Sequence, residues 1–343
     1  MPTWFDESRL DDERALATVD ARLRELAEAG ARVRREALEA APGIAAAVAA
    51  AQDAARPRAI VAAGPDSRLL RAVLEPWCPV PYVAWPGPAL PGWAGGLDLV
   101  VVLAPDGSDR GTAAAVAEAV RRGCQVVVAC PEGSLVARHA EGRWSTLVPT
   151  VARDQLATAV VVLEYLDQVG LGPRADHADV ASALDDVAVS CSPHRDLAVN
   201  PAKMLAIALA DTNPVVWGGS VLAARAARRV AETIRRASGQ SAIAGDAEHL
   251  LPLIEAARPR DVFDDPFADG EGEVRPMLLV FDDDTHDQVV AEDHERLRAA
   301  ALAHGVRMET VTTEADTEIA RYASLVLKGR YAAEYLRLGL VSD

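Results

Sequence analysis

Gly218-Gly219-Ser220 is the stretch whose residue types and spacing are best suited to chemistry. Val215-Val216-Trp217 before it is short, β-branched and aromatic, and reads as a buried parallel strand. A long helical pattern follows over about residues 221–237. Strand, small-residue turn and helix aim backbone N–H groups at an anion. Read alone, such a turn is more often a tight connection with no ligand. Glu232 shares its helix with Arg228, Arg229, Arg235 and Arg236, and by itself reads as a surface ion-pair member. His249 in AEHLLPL reads as a helix-cap or interface residue. Asp282-Asp283-Asp284-Thr285-His286-Asp287 has metal-ligand residue types, but without ligands from elsewhere it reads as a solvated loop. Cys78, Cys124, Cys130 and Cys191 show no metal spacing, and Cys124 and Cys130 bracket QVVVA as inert buried thiols. No metal and no cofactor is expected.

The elements that must position these groups alternate in type. Residues 6–55 read as helices, with Leu16, Val19, Leu23 and Leu26 at helical spacing and an interruption at Pro42-Gly43. From residue 58 to 172, RAIVAAG, VPYVAW, LDLVVVLA and CQVVVAC read as strands separated by helices near 67–74, 112–122 and 155–169. Apolar strands of this length between helices give a parallel sheet covered on both faces. GLGPR at 170–174 reads as a hinge. A helix over 176–191 leads to an amphipathic one with Met204, Leu205, Ala208 and Leu209 at helical spacing, which Asn213-Pro214 ends. DVFDDPFADGEGE within 258–275 reads as an acidic, mobile loop. MLLVF and VRMETVT read as further strands around the helix HERLRAAALAHG, before a last helical region over 317–340.

Composition narrows the partners. The 343 residues suffice for two domains, and half of them are apolar. Thirty-five Lys+Arg against 51 Asp+Glu give a formal charge of −16, which disfavours nucleic acid and anionic membrane as partners. Only Lys203 and Lys328 are lysines. The opening residues are polar and acidic, no apolar run reaches membrane-spanning length, and a cytoplasmic protein is expected.

NPAK at 200–203, PVVWG at 214–218, the helix bearing Glu232 and then His249 together resemble the second half of the bifunctional phosphoglucose/phosphomannose isomerases. These are two-domain sugar isomerase (SIS) proteins whose own stretch runs roughly NPAK…PVIYG…NENAK…ELNHNE. The resemblance implies two three-layer α/β/α sandwiches with mostly parallel five-stranded sheets, over 58–172 and 173–343, after a helical segment over 1–57. It places Glu232 at the family's catalytic glutamate and His249 at its catalytic histidine, without the side-chain amides that flank them there. Arg153, in LVPTVAR, falls where a family arginine stabilises the enediolate. Pro131-Glu132-Gly133-Ser134-Leu135 resembles a family turn into a helix, and SLVLKGRYAAEYLRLGL the family's closing stretch. Family members continue into a tail that contributes a lysine; this sequence stops at Asp343, and Lys328 is the one stand-in.

The implied substrate-binding positions are Gly64, Ser67, Gly107, Ser108, Thr112 and Ser134. Of the family's Gly-Gly-Ser turn, Gly64 and Ser67 survive. Of its Ser-x-Ser-Gly-x-Thr phosphate loop only Gly107 does, with Ala104, Asp106 and Asp109 in place of the hydroxyl residues. Both aspartates read otherwise as a helix cap and an acidic first turn. They repel a phosphate, and Arg110 compensates in part. The activity implied is aldose–ketose isomerisation of glucose 6-phosphate and mannose 6-phosphate to fructose 6-phosphate, in a homodimer. The alternative is a catalytically impaired SIS protein that binds a carbohydrate derivative or regulates.

Overall fold

The computed structural model describes residues 3–52, 55–257 and 275–342. They form two compact units, residues 30–181 and residues 1–29 with 182–343. The acidic stretch expected over 258–275 lies outside the described residues except for Arg275. The chain opens with β1 (Thr3–Phe5) and α1 (Glu13–Ala27), whose N-cap Asp12 accepts from the Ala15 amide at 2.7 Å. α2 (Ala29–Gln52) then runs unbroken through Pro42, where an interruption was expected. Proline removes the hydrogen bond to the carbonyl four residues earlier. That carbonyl belongs to Leu38, which sits on the exposed face of the helix where water can replace the donor. Gly43 lets the same turn lie on the sheet: a Cβ there would be 2.8 Å from Pro149 Cδ and 2.9 Å from the Leu147 carbonyl.

The first unit continues through β2 (Ile60–Ala63), α3 (Ser67–Leu74), β3 (Tyr82–Trp85) and β4 (Leu99–Leu103). Then come α4 (Arg110–Arg121), β5 (Gln125–Cys130), α5 (Leu135–His139), β6 (Ser145–Pro149) and α6 (Gln155–Gln168). Its five strands lie in the order β3-β2-β4-β5-β6 and are parallel throughout. Every residue of β2 and β4 is buried, which is why both read as continuous apolar runs. Val61, Val100, Val102, Val126 and Val128 pack with Ala115, Val116 and Val136 of α4 and α5 on one face, and α3 and α6 cover the other. The order reverses between β2, which turns back to β3, and β4. In open parallel sheets ligands bind outside the strand C-termini at such a reversal.

α7 (His177–Ser190) spans the boundary between units. The second unit holds α8 (Pro201–Leu209), β7 (Thr212–Gly218), α9 (Val221–Ser238), β8 (Ile243–Ala244) and α10 (Ala247–Glu255). It closes with β9 (Arg275–Phe281), α11 (Gln288–Ala303), β10 (Arg307–Val311), α12 (Glu318–Gly339) and β11 (Leu340–Ser342). The sheet order is β10-β9-β7-β8, again all parallel. Among the described residues it has four strands where five were expected. After β10 the chain enters α12, and β11 pairs antiparallel with β1 instead of joining the sheet. Val215, Trp217, Leu278 and Val280 pack against Leu250, Ile254 and Leu297 of α10 and α11, while α8, α9 and α12 pack together.

The NPAK residues serve this packing. Asn200, fully buried, caps α8 by accepting from the Ala202 and Lys203 amides at 3.0 and 3.1 Å. Pro201 sits at the first helical position, where a missing N–H costs nothing. Lys203 is also fully buried, and its Nζ donates to Asp11 Oδ1 (2.6 Å) and to the Pro193 and Arg195 carbonyls (both 2.9 Å). All three ammonium protons are thereby used. Asp11 is half-exposed, so water can resolvate it if the lysine is lost. Lys203→Met should therefore lower stability by roughly 2 kcal/mol, below the usual cost of breaking a fully buried pair. Urea unfolding checks this: the midpoint should fall, and an unchanged midpoint would show that the buried ammonium contributes nothing.

Candidate functional site at the end of the first sheet

Four helices of the first unit begin at the C-terminal ends of strands, and each presents N–H groups that need acceptors. At α4, Asp109 Oδ2 accepts from the Thr112 amide (2.6 Å) and hydroxyl (2.7 Å). The Thr112 hydrogen bonds hold the Asp109 carboxyl below the ordinary carboxylate range. At α5, the Ser134 hydroxyl accepts from the Ala137 amide at 3.2 Å. At α6, Asp154 Oδ1 accepts from the Leu156 and Ala157 amides at 2.9 and 3.1 Å. At α3 the N-cap Asp66 makes no such bond, and the buried Ser67 hydroxyl has no hydrogen-bond partner among the described residues. Backbone carbonyls of Gly64 and Asp66 take the Ser67 and Leu69 amides at 3.2 and 3.1 Å, so what sets the start of α3 apart beside the sheet reversal is the missing side-chain cap and the unpartnered Ser67 hydroxyl.

Gly64 and Gly107 shape the two turns at the reversal. Gly64 has φ +91°, and a Cβ on it would lie 2.9 Å from the Thr112 hydroxyl. Gly107 has φ +64°, and a Cβ on it would meet Ser134 Cβ at 2.4 Å. Ser108 and Asp106 are exposed on the same turn. The six positions expected to bind substrate thus gather at one end of the sheet. The hydroxyls of Thr112 and Ser134 are engaged by their own helices, whereas that of Ser67 is not.

The loop after β6 reaches the start of α3. Gln155 Nε2 donates to Asp66 Oδ1 at 2.5 Å, joining the start of α6 to that of α3. Arg153 lies in this loop, exposed, with φ +50°, a left-handed conformation that costs a non-glycine residue on the order of 1–2 kcal/mol. Glu36 of α2, with no exposed surface, accepts from the Val151 and Ala152 amides at 2.8 and 2.9 Å and from the Thr158 hydroxyl at 3.1 Å. The role of Glu36 did not emerge from the sequence. Its signal was present: it shares an apolar stripe with Val33, Ala37, Ala40 and Ile44, where an unpartnered carboxylate is rare.

Glu232 and His249 belong to the second unit. Glu232, partly buried on α9, pairs with Arg236 (2.6 Å) and Arg229 (3.5 Å). His249 is exposed in the first turn of α10, and Lys328 Nζ donates to the Thr312 carbonyl at 2.7 Å. The Gly218-Gly219-Ser220 turn is a close connection: a Cβ on Gly218 would lie 2.3 Å from the Ala223 carbonyl carbon and one on Gly219 2.1 Å from Val290. Ser220 caps α9 and donates to Asp283, whose carboxyl burial pushes up. The rest of the acidic run is used locally, with Asp287 capping α11 and Asp282 accepting from the Asp284 amide. In the first unit Glu164, Asp176 and His177 bring possible metal-ligand atoms within 4.8 Å of one another. There the His177 amide and Nδ1 both bond Glu164 Oε1, at 2.7 and 2.6 Å, which closes a helix corner.

Residues 198–340 match the family model described as the bacterial phospho-glucose isomerase C-terminal SIS domain. The match makes this stretch similar to that SIS domain. No curated protein matches the chain in sequence. Among solved structures, tagatose-6-phosphate ketose/aldose isomerase from Escherichia coli is similar, with a TM-score of 0.63 and 12% identity over 97% of this chain and 91% of that one. The C-terminal domain of glucosamine-fructose-6-phosphate aminotransferase from Francisella tularensis gives a TM-score of 0.64 and 13% identity over 94% and 96%. A glucose-6-phosphate isomerase like protein from Thermus thermophilus gives 0.50 and 17% over 83% and 82%. At these identities the likeness is one of fold, and it extends the SIS-type α/β/α architecture to both sheets.

The Asp109 cap makes a prediction about pH. A carboxyl whose folded pKa is depressed stabilises the fold above its unfolded pKa and loses that contribution as pH falls through the folded value. The stability difference between the native chain and Asp109→Ala should be level from about pH 8 to pH 5 and shrink below about pH 4. Urea midpoints at several pH values measure it, and a difference unchanged at about pH 3 would remove the charge from the cap.

Proposed function

We propose that the chain is a sugar-phosphate aldose–ketose isomerase-like SIS protein whose ligand site lies at the start of α3. The observation that carries this reading is the Ser67 hydroxyl, buried without a partner beside Gly64 at the sheet reversal. A sugar hydroxyl or phosphate oxygen reaching it would complete its bonding at a helix N-terminus, where an anion is favoured. The substrates proposed are glucose 6-phosphate and mannose 6-phosphate, converted to fructose 6-phosphate through an enediolate. In this scheme Glu232 moves the proton between C1 and C2, His249 opens the ring, and Arg153 stabilises the developing negative charge. The assembly is a homodimer. The test is a coupled assay for fructose 6-phosphate from both hexose phosphates, with Glu232→Gln expected to lose at least about a hundredfold in kcat. Equal turnover by that variant would assign the base elsewhere.

A second reading is favoured by Asp109, whose carboxylate holds at α4 the position where a phosphate would accept from helix N–H groups. On this reading the chain binds a sugar derivative without turning it over. Both readings predict weak hexose-phosphate binding by the native chain. Replacing Asp106 by Ser and Asp109 by Thr keeps a cap on α4 and removes two negative charges. Each charge near about 4 Å from a phosphate opposes it by on the order of 1 kcal/mol even when solvated, so calorimetry should show glucose 6-phosphate affinity rising several-fold. An affinity lost on replacement would place the phosphate on these aspartates' loop in another way.

A further inference from the structure

Arg153 is held from both sides by a single helix. On its N-terminal side, Glu36 takes the amides of Val151 and Ala152. On its C-terminal side, Arg32 Nε donates to Asp154 Oδ2 at 2.9 Å, with both side chains mostly buried. Arg32 and Glu36 stand four residues apart on α2, and so share one face of the helix. Between the two anchors Arg153 adopts its left-handed φ of +50°. A loop free to relax would return an arginine to negative φ, and strain of this kind persists where neighbouring bonds over-determine the backbone.

In the packing of α2 the Glu36 carboxylate meets one buried polar group, the Thr158 hydroxyl of α6, through Oε1. The same stripe carries Val33, Ala37, Ala40 and Ile44, and an apolar residue would bury more cheaply there. The other Glu36 oxygen, Oε2, accepts two successive backbone N–H groups of the loop after β6. The loop so held is joined through Gln155 to Asp66, next to the start of α3.

We infer that Glu36 and Arg32 are positioning residues that clamp Arg153 in its strained conformation at the mouth of the candidate site. The clamp acts through backbone geometry and touches no ligand. Its functional consequence rests on the sugar-phosphate reading above, because Arg153 is the group presented. Its structural content does not.

The experiment uses the full chain and compares native protein, Glu36→Met, Arg153→Ala and the double variant. Glutamine would not test the clamp, because its one carbonyl oxygen can take both amides while its NH2 donates to the Thr158 hydroxyl; methionine keeps the length of Glu36 and removes both acceptor oxygens. Amide hydrogen exchange at Val151 and Ala152 should speed up at least about tenfold in Glu36→Met while the strands of the first sheet stay protected. Calorimetry with glucose 6-phosphate should show Glu36→Met weakening binding about as much as Arg153→Ala, with no added loss in the double variant. Native exchange in Glu36→Met overturns the clamp. So does a loss of affinity that persists in full on the Arg153→Ala background, because Glu36 would then act without Arg153. If Glu36→Met fails to fold, Arg32→Gln carries the same two expectations, with faster exchange at Leu156 and Ala157. A native chain that ignores glucose 6-phosphate refutes the proposed substrate, and the exchange measurement still decides the clamp.

Discussion

Every helix that follows a parallel strand starts with backbone N–H groups that have no partner inside the helix, and in this protein four such starts meet at one end of one sheet. That requirement organises the first unit. Asp109, Ser134 and Asp154 each satisfy a helix start from within the chain. The start of α3 has no side-chain acceptor, and the hydroxyl beside it is buried and unpaired. A buried hydroxyl left without a partner costs about 1–3 kcal/mol unless water or a ligand meets it. The location of the candidate site therefore follows from hydrogen-bond accounting, and the reversal of strand order between β2 and β4 leads to the same place.

The caps also show how a sheet of this type keeps its helix starts satisfied from within the chain. A ligand phosphate and an aspartate meet the same need at a helix N-terminus, a negative charge with lone pairs directed at N–H groups. With Asp109 in that place, α4 is complete in the absence of ligand. Ser220, backed by Asp283, does the same for α9 in the second unit. At these two turns the chain's own side chains supply the acceptors, whereas at Ser67 the buried hydroxyl is left without a partner.

Much of this was legible in the sequence. β2, β4, β5, β7 and β9 are buried on both faces, so their runs of valine, leucine and alanine could be read directly, and both parallel sheets followed from them. β6 and β8 were not legible. β6 is an edge strand whose Ser145 and Thr146 are only half-buried, and β8 is two residues long. Pro42 suggested a break because propensity ignores the exposed carbonyl that tolerates it. The turns bearing Gly64, Ser67 and Gly107 could be located from their glycines and small residues. The state of each hydroxyl could not, because it depends on whether a neighbouring carboxylate reaches it. Glu36 stood in an apolar stripe, but the loop and the Thr158 hydroxyl that it binds come from far along the chain and could not be read from its neighbours. The left-handed φ of Arg153 left no trace, since arginine carries no signal for that conformation.

The claim at the centre of this account is that a sugar derivative binds at the start of α3, beside the loop that carries Arg153. Backbone amide chemical shifts followed by NMR during a fructose 6-phosphate titration test it most directly, since they register even millimolar binding residue by residue. The account predicts progressive, saturable shifts at Gly64, Ser67 and the amides from Val151 to Gln155, with smaller changes at Gly107 and Thr112. Saturable shifts confined to other parts of the chain, or none at millimolar ligand, would contradict it.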